Sequence, residues 1–148
     1  MITKRDAGVA LAAATLSLGA VAFAQAPKPV LIGPSVYPWE AMKPHDTDVG
    51  TYAQVLRGPT ATLHELELHV TTLNPGTSSH APHTHPNEEL VIIREGTVEV
   101  LSGGEWKRVG PGGVIFNASN SPHALRNVGP GKAVYHVINW KSAPPAGR

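Results

Sequence analysis

No cysteine occurs in the 148 residues, which excludes a disulfide framework and thiolate metal ligation. The two methionines, Met1 and Met42, are too few for a methionine-rich Cu(I) carrier. Charge is also sparse and evenly split. The formal net value is +1, so no basic surface is available to hold nucleic acid or an anionic membrane. After Ala24 no sustained 3.6-residue periodicity appears, which excludes a helical bundle. Gly-x-Gly-x-x-Gly, a P-loop, Gly-x-Ser-x-Gly and His-Glu-x-x-His are all missing, so dinucleotide, nucleotide, serine-hydrolase and zincin chemistries lack their residues.

What the chain does have is punctuation: 15 glycines and 14 prolines cut it into short runs, the pattern of an all-β sandwich or barrel in one domain. Residues 1–24 read as an export signal. Lys4 and Arg5 form a short positive start, an alanine-rich apolar run follows, and Ala22-Phe23-Ala24 fits a small-x-small cleavage site before Gln25. The run is only weakly apolar, which favours a cleaved signal over a retained anchor. Without the fuller twin-arginine context, ordinary secretion to the periplasm or beyond is expected. Losing this segment removes Lys4, Arg5 and Asp6 and leaves the rest near neutral, so no membrane partner is expected after cleavage.

Residues 25–52 read as an arm. Pro27, Pro29, Pro34, Pro38 and Pro44 forbid a long helix and a central strand. Its apolar Val36, Tyr37 and Trp39 either cover the chain's own barrel or pack on a second subunit, so a homodimer is a candidate assembly. Residues 53–142 form the β domain, and residues 143–148, with Pro144-Pro145, a disordered tail. In the strand around Leu66, Leu68 and Val70, apolar residues alternate with Glu67 and His69. This places His64 with the lumen-facing set and His69 in solvent. Residues 89–95 and 97–101 are expected to pair as a hairpin about Gly96, and Gly103-Gly104 makes a second. Val91, Ile93, Val98, Val100 and Leu125 would wall the lumen. In the last strand, residues 133–140, His136 shares a face with Val134, Ile138 and Trp140. It is either a core histidine or a lumen group.

The most informative stretch is His83-Thr84-His85-Pro86-Asn87-Glu88-Glu89. Pro82 and Pro86 keep it extended, so His83 and His85 point the same way with Cα atoms about 6.6 Å apart, within reach of one cation. A straight strand would carry Glu89 about 13 Å beyond His85. The chain must therefore bend at Pro86-Asn87 for all three to meet.

A distant element completes the pattern. Gly76, His83, His85, Glu89 and Gly96, followed by Pro111, Gly113, His123 and Asn127, resemble the paired motifs of the cupin superfamily. The first motif carries one extra residue between Gly76 and His83, and the spacer before His123 is long. The resemblance spans about residues 60 to 140. It implies a single-domain jelly-roll β-barrel with His83, His85, Glu89 and His123 as ligands to one divalent transition metal, and Asn127 as turn support. Nitrogen and oxygen donors suit Fe, Mn, Ni, Cu or Zn alike. Such a site fits a metal-dependent oxidoreductase, first of dioxygenase type, acting on a small organic substrate. The alternative is a non-catalytic periplasmic module that binds a small ligand or metal. A structural domain with a vestigial site is disfavoured by the intact ligand set. Glu89, by shifting off the metal, and His136 are the candidate catalytic groups, with Tyr52 a weaker one. His80 stands in the loop before the ligands as an exposed residue or a group at the mouth.

Overall fold

The strands fall where glycine, proline and asparagine interrupt the apolar runs. The computed structural model describes residues 29–142, so the expected export signal (residues 1–24) and the expected tail (residues 143–148) lie outside the described residues. Nine strands follow one another: β1 His45–Thr47, β2 Gly50–Gly58, β3 Leu63–Leu73, β4 Glu88–Glu95, β5 Val98–Ser102, β6 Glu105–Val109, β7 Val114–Asn117, β8 Ala124–Asn127 and β9 Ala133–Ser142. One 3-10 turn, Trp39–Ala41, is the only helical element among the described residues. All the pairings are antiparallel, in a six-stranded sheet β1-β2-β3-β9-β4-β7 and a three-stranded sheet β6-β5-β8. This is the jelly roll.

The two sheets close on one core. Leu73, Val91, Ile93, Ile115, Ala133, Tyr135 and Val137 of the large sheet meet Val98, Val100 and Leu125 of the small one. The expected lumen wall is therefore in place. Each such buried aliphatic side chain contributes roughly 1.5–3 kcal/mol, and with no disulfide this core carries the fold.

Three expectations need correction. First, the β sheet begins before residue 53. Asp48-Val49 joins β1 to β2 as a hairpin, so the second half of the arm belongs to the barrel. Second, β4 and β5 do not form a hairpin. β4 pairs β9 and β7, whereas β5 pairs β6 and β8, so Gly96 carries the chain from one sheet to the other. That crossing is tight. Gly96 has φ 82°, and a Cβ there would sit 2.6 Å from the Lys132 carbonyl oxygen and 2.7 Å from the Ala133 Cα. The Gly103-Gly104 hairpin, by contrast, forms as expected, with both φ angles positive at 63° and 84°.

Third, the faces of β3 are reversed. Leu66, Leu68 and Val70 stand opposite Trp140, Ile138 and His136, on the outer face of the sheet. Leu90 and Ile92 of β4 extend that apolar outer row, and Phe116 and Val114 end it, 53% and 62% exposed. Glu67, His69 and Thr71 face inward with the core residue Leu73. His64 is exposed and does not reach the lumen. His136 lies on the outer face too, 6.0 Å from the Trp39 ring. Trp39 in turn carries the Arg94 guanidinium 3.4 Å above its ring, and Met42 packs on Ala53, Val70 and Val134. The arm thus covers its own sheet.

One buried polar residue ties the barrel's end together. Asn127, 2% exposed, donates from Nδ2 to the carbonyls of Leu73, Asn74 and Gly131 at 3.1, 3.1 and 2.8 Å, and accepts from Gly129 N–H at 3.0 Å. Asn127→Ala would strand these groups and should cost roughly 2–3 kcal/mol. Chemical denaturation checks this, and a midpoint equal to wild type would show that the turn stands without Asn127.

Candidate metal centre

His83 and His123 come together through the backbone. The segment before β4 lies along β8, and residues 83 and 123 form an isolated antiparallel bridge. Each N–H donates to the other's carbonyl at 3.1 Å. Side chains directly opposite in such a pair leave on the same side, and the two rings sit 4.4 Å apart, centroid to centroid. Two residues on, His85 joins them, 4.7 Å from the His123 ring and 5.5 Å from that of His83. The loop after β7 holds this segment. Asn120 N–H donates to the His85 carbonyl at 2.8 Å, and Ser119 Oγ to the Pro86 carbonyl at 2.6 Å. Pro86-Asn87 then bends the chain into β4 and returns Glu89 to the cluster, as the spacing requires.

One nitrogen from each of the three imidazoles lies within 4.8 Å of the others. Glu89 Oε2 is 3.7 Å from His85 Nε2, and its Oε1 is 4.0 Å from His123 Nε2. The rings are prepared as donors of lone pairs. His85 Nδ1 is 2.8 Å from the Asn87 carbonyl and His123 Nδ1 is 2.8 Å from the Ser121 carbonyl. A carbonyl only accepts, so each Nδ1 carries a proton, and in the neutral ring Nε2 is the nitrogen that presents a lone pair. Those two Nε2 atoms, and His83 Nδ1, are buried without a hydrogen-bond partner. Buried polar atoms are rarely left so, and the two Nε2 atoms, which share the Glu89 carboxylate, fit a cation. Burial, reinforced by the rings of His80, His123 and His85, holds the His83 pKa below its usual value, which keeps it neutral. Asn117 Nδ2 donates to Glu89 Oε1 at 2.9 Å and sets the carboxylate's orientation.

The cluster opens on a cavity of about 370 Å³. Glu89 and His123 line it on one side, and Val91, Val100, Leu125 and Val137 give it apolar walls. Tyr52, His69 and Tyr135 are also on its surface. Three of the four residues expected at a metal, His83, His85 and His123, come within reach of one ion, and Glu89 lies beside the last two. His136, expected as a catalytic candidate, is on the opposite face of β9 and does not share the site. His80, exposed in its loop, borders the cavity with its ring 4.1 Å from that of His83. Two contributors escaped the sequence reading. Asn117 ends β7 on the parity of the buried Ile115, which aims it inward at Glu89. His69 was assigned to solvent by the reversed parity of β3.

Comparison with known proteins agrees with this geometry. The family model Cupin_2, described as a cupin domain, matches residues 69–139. Solved structures of the same fold include KdgF from Halomonas sp., 20% identical over 71% of this chain and 94% of its own, with a TM-score of 0.60. The polyketide cyclase RemF from Streptomyces resistomycificus is 19% identical over 76% and 83% of the two chains, with a TM-score of 0.59. A Cupin 2 conserved barrel domain protein from Salinispora arenicola is 21% identical over 74% and 91%, with a TM-score of 0.58. At these identities the likeness concerns fold. No curated protein matches the sequence. The jelly roll, the paired motifs and the family match together identify the chain as a member of the cupin superfamily.

Tyr135 reports on how dry the lumen is. Burial pushes its phenol up to about 12, against the opposing pull of the Ser79 and Thr71 hydroxyls. Because the unfolded phenol ionises near 10, the fold should lose stability as pH rises from about 10 towards 12. At pH 11, Tyr135→Phe should leave the tyrosinate absorbance nearly unchanged. A drop equal to one full tyrosine would mean that water reaches the ring.

Proposed function

We propose that this protein is an exported, metal-dependent enzyme that oxidises a small organic molecule in dioxygenase fashion. The observation that carries the proposal is the convergence of three imidazoles, two of them with unpartnered Nε2 atoms facing Glu89, at the edge of an apolar-walled cavity. His83, His85, His123 and Glu89 would hold one divalent transition metal. When bound, such an ion supplies a Lewis acid and open positions for dioxygen or a substrate oxygen. Export rests on the charge, apolar run and cleavage pattern of residues 1–24.

The chain's own residues do the rest. Val91, Val100, Leu125 and Val137 exclude water and select a small, partly apolar molecule. Asn117 keeps Glu89 turned towards the histidines, and the carboxylate can accept a proton from a substrate hydroxyl. The jelly roll itself does not decide the reaction, since its structural neighbours have different names and one is a cyclase.

His83→Ala and His123→Ala should each lower metal content and, with it, the melting temperature, because the ion binds only the folded chain. Equal metal content in wild type and both variants would contradict the ligand set. Oxygen uptake by the metal-loaded protein against a panel of phenols and keto acids tests the reaction. Consumption with one of them, lost in both variants, is the expected result. Ligand binding without turnover under every metal tried would replace the enzyme by a capture module.

A further inference from the structure

The cavity has a second polar group, on β2 and β3, across β9 from the histidine cluster. Tyr52 and Thr71 are paired in register, and the Tyr52 ring stacks on that of His69 with centroids 4.7 Å apart. Glu67 joins the two. Tyr52 Oη donates to Glu67 Oε1 at 3.3 Å, and His69 Nδ1 lies 3.3 Å from the same oxygen, although poorly aligned for a hydrogen bond. His69 and Tyr52 both line the cavity, as Glu89 and His123 do. Nδ1 of His69 is buried against Glu67, so Nε2 is the nitrogen left to meet a ligand. Burial lowers the His69 pKa, while Glu67 opposes this; burial, with Glu67 adding to it, raises that of Tyr52. Both side chains are thus kept neutral and able to donate or accept.

The register sets the separation. Glu67 stands opposite Asn139, and Asn139 opposite Glu89, in one row across β3, β9 and β4. His69 occupies the next inward position, opposite Val137, which in turn faces Val91. Two strand spacings are about 10 Å. Between the two polar ends the wall is apolar, made by Val91 and Val137.

We propose that Tyr52, Glu67 and His69 form a hydrogen-bonding subsite that receives the far polar end of a ligand anchored at the His83–His85–His123–Glu89 cluster. The ligand class is a small molecule with a chelating end, an apolar middle and a hydroxyl at the far end. This rests on the metal-centre reading above. Tyr52 and His69 make the hydroxyl bonds, and Glu67 is a positioning residue that holds both.

Two probes separate the subsite from the metal centre: benzohydroxamate, which offers only a chelating end and a ring, and its 4-hydroxy analogue. Their affinities are measured by calorimetry on the full chain loaded with Zn(II). The 4-hydroxy probe should bind about five- to tenfold more tightly, the worth of one buried hydrogen bond. His69→Phe should abolish that preference and leave benzohydroxamate affinity and metal content unchanged. Should His69→Phe fail to fold, Glu67→Gln and Tyr52→Phe should each reduce the preference. Equal affinities in wild type, or a preference that survives these substitutions, would overturn the subsite. If neither probe binds the metal-loaded wild type, the metal-anchored cavity fails and the subsite with it.

Discussion

The site depends on a pair of backbone hydrogen bonds, those between residues 83 and 123. They fasten the irregular segment before β4 onto β8 and place two imidazoles opposite each other. Everything else at the centre follows from that bridge. His85 is two residues along the same segment, Pro86-Asn87 turns the chain, and Glu89 returns on the large sheet. The site therefore sits where the two sheets are stitched together. Its four side chains come from a loop, from the start of a strand in each sheet, and from no helix. Asn120 and Ser119 on one side, and Asn117 on the other, hold the irregular parts in place through hydrogen bonds rather than packing.

Such an arrangement has a cost before any ion binds. Two ring nitrogens, His85 Nε2 and His123 Nε2, are buried without partners, and a carboxylate lies beside them. Leaving polar atoms so is unfavourable by about 1–3 kcal/mol each. The apolar core around them, from Leu73 and Ile93 to Val98, is what keeps the cluster assembled. The centre is thus preorganised, and a cation would relieve the cost that the barrel already bears.

The histidine cluster was legible because chemistry and spacing spoke together. Two histidines two apart, bracketed by prolines, can only face one way, and the length from His85 to Glu89 demands a bend. The Gly103-Gly104 turn was legible as well, since that pair leaves little choice. What misled was β3. Alternation there says that the two faces differ, not which is inside. Leu66, Leu68 and Val70 are apolar because the outer face of this sheet is apolar too, in part under the arm with its Trp39 and Met42. The same reason put His136 outside and His69 inside. The pairing of β4 was hidden for a different reason. Gly96 signals a turn, but only the close approach of Lys132 and Ala133 shows that it leads into the other sheet.

The central claim is that three imidazoles and one carboxylate from separate segments hold a single cation. Anomalous scattering from a crystal of the metal-loaded protein tests it most directly. One peak should stand within about 2.0–2.2 Å of a nitrogen from each of His83, His85 and His123 and of a Glu89 oxygen. A peak elsewhere on the molecule, or none at full metal occupancy in solution, would contradict the account.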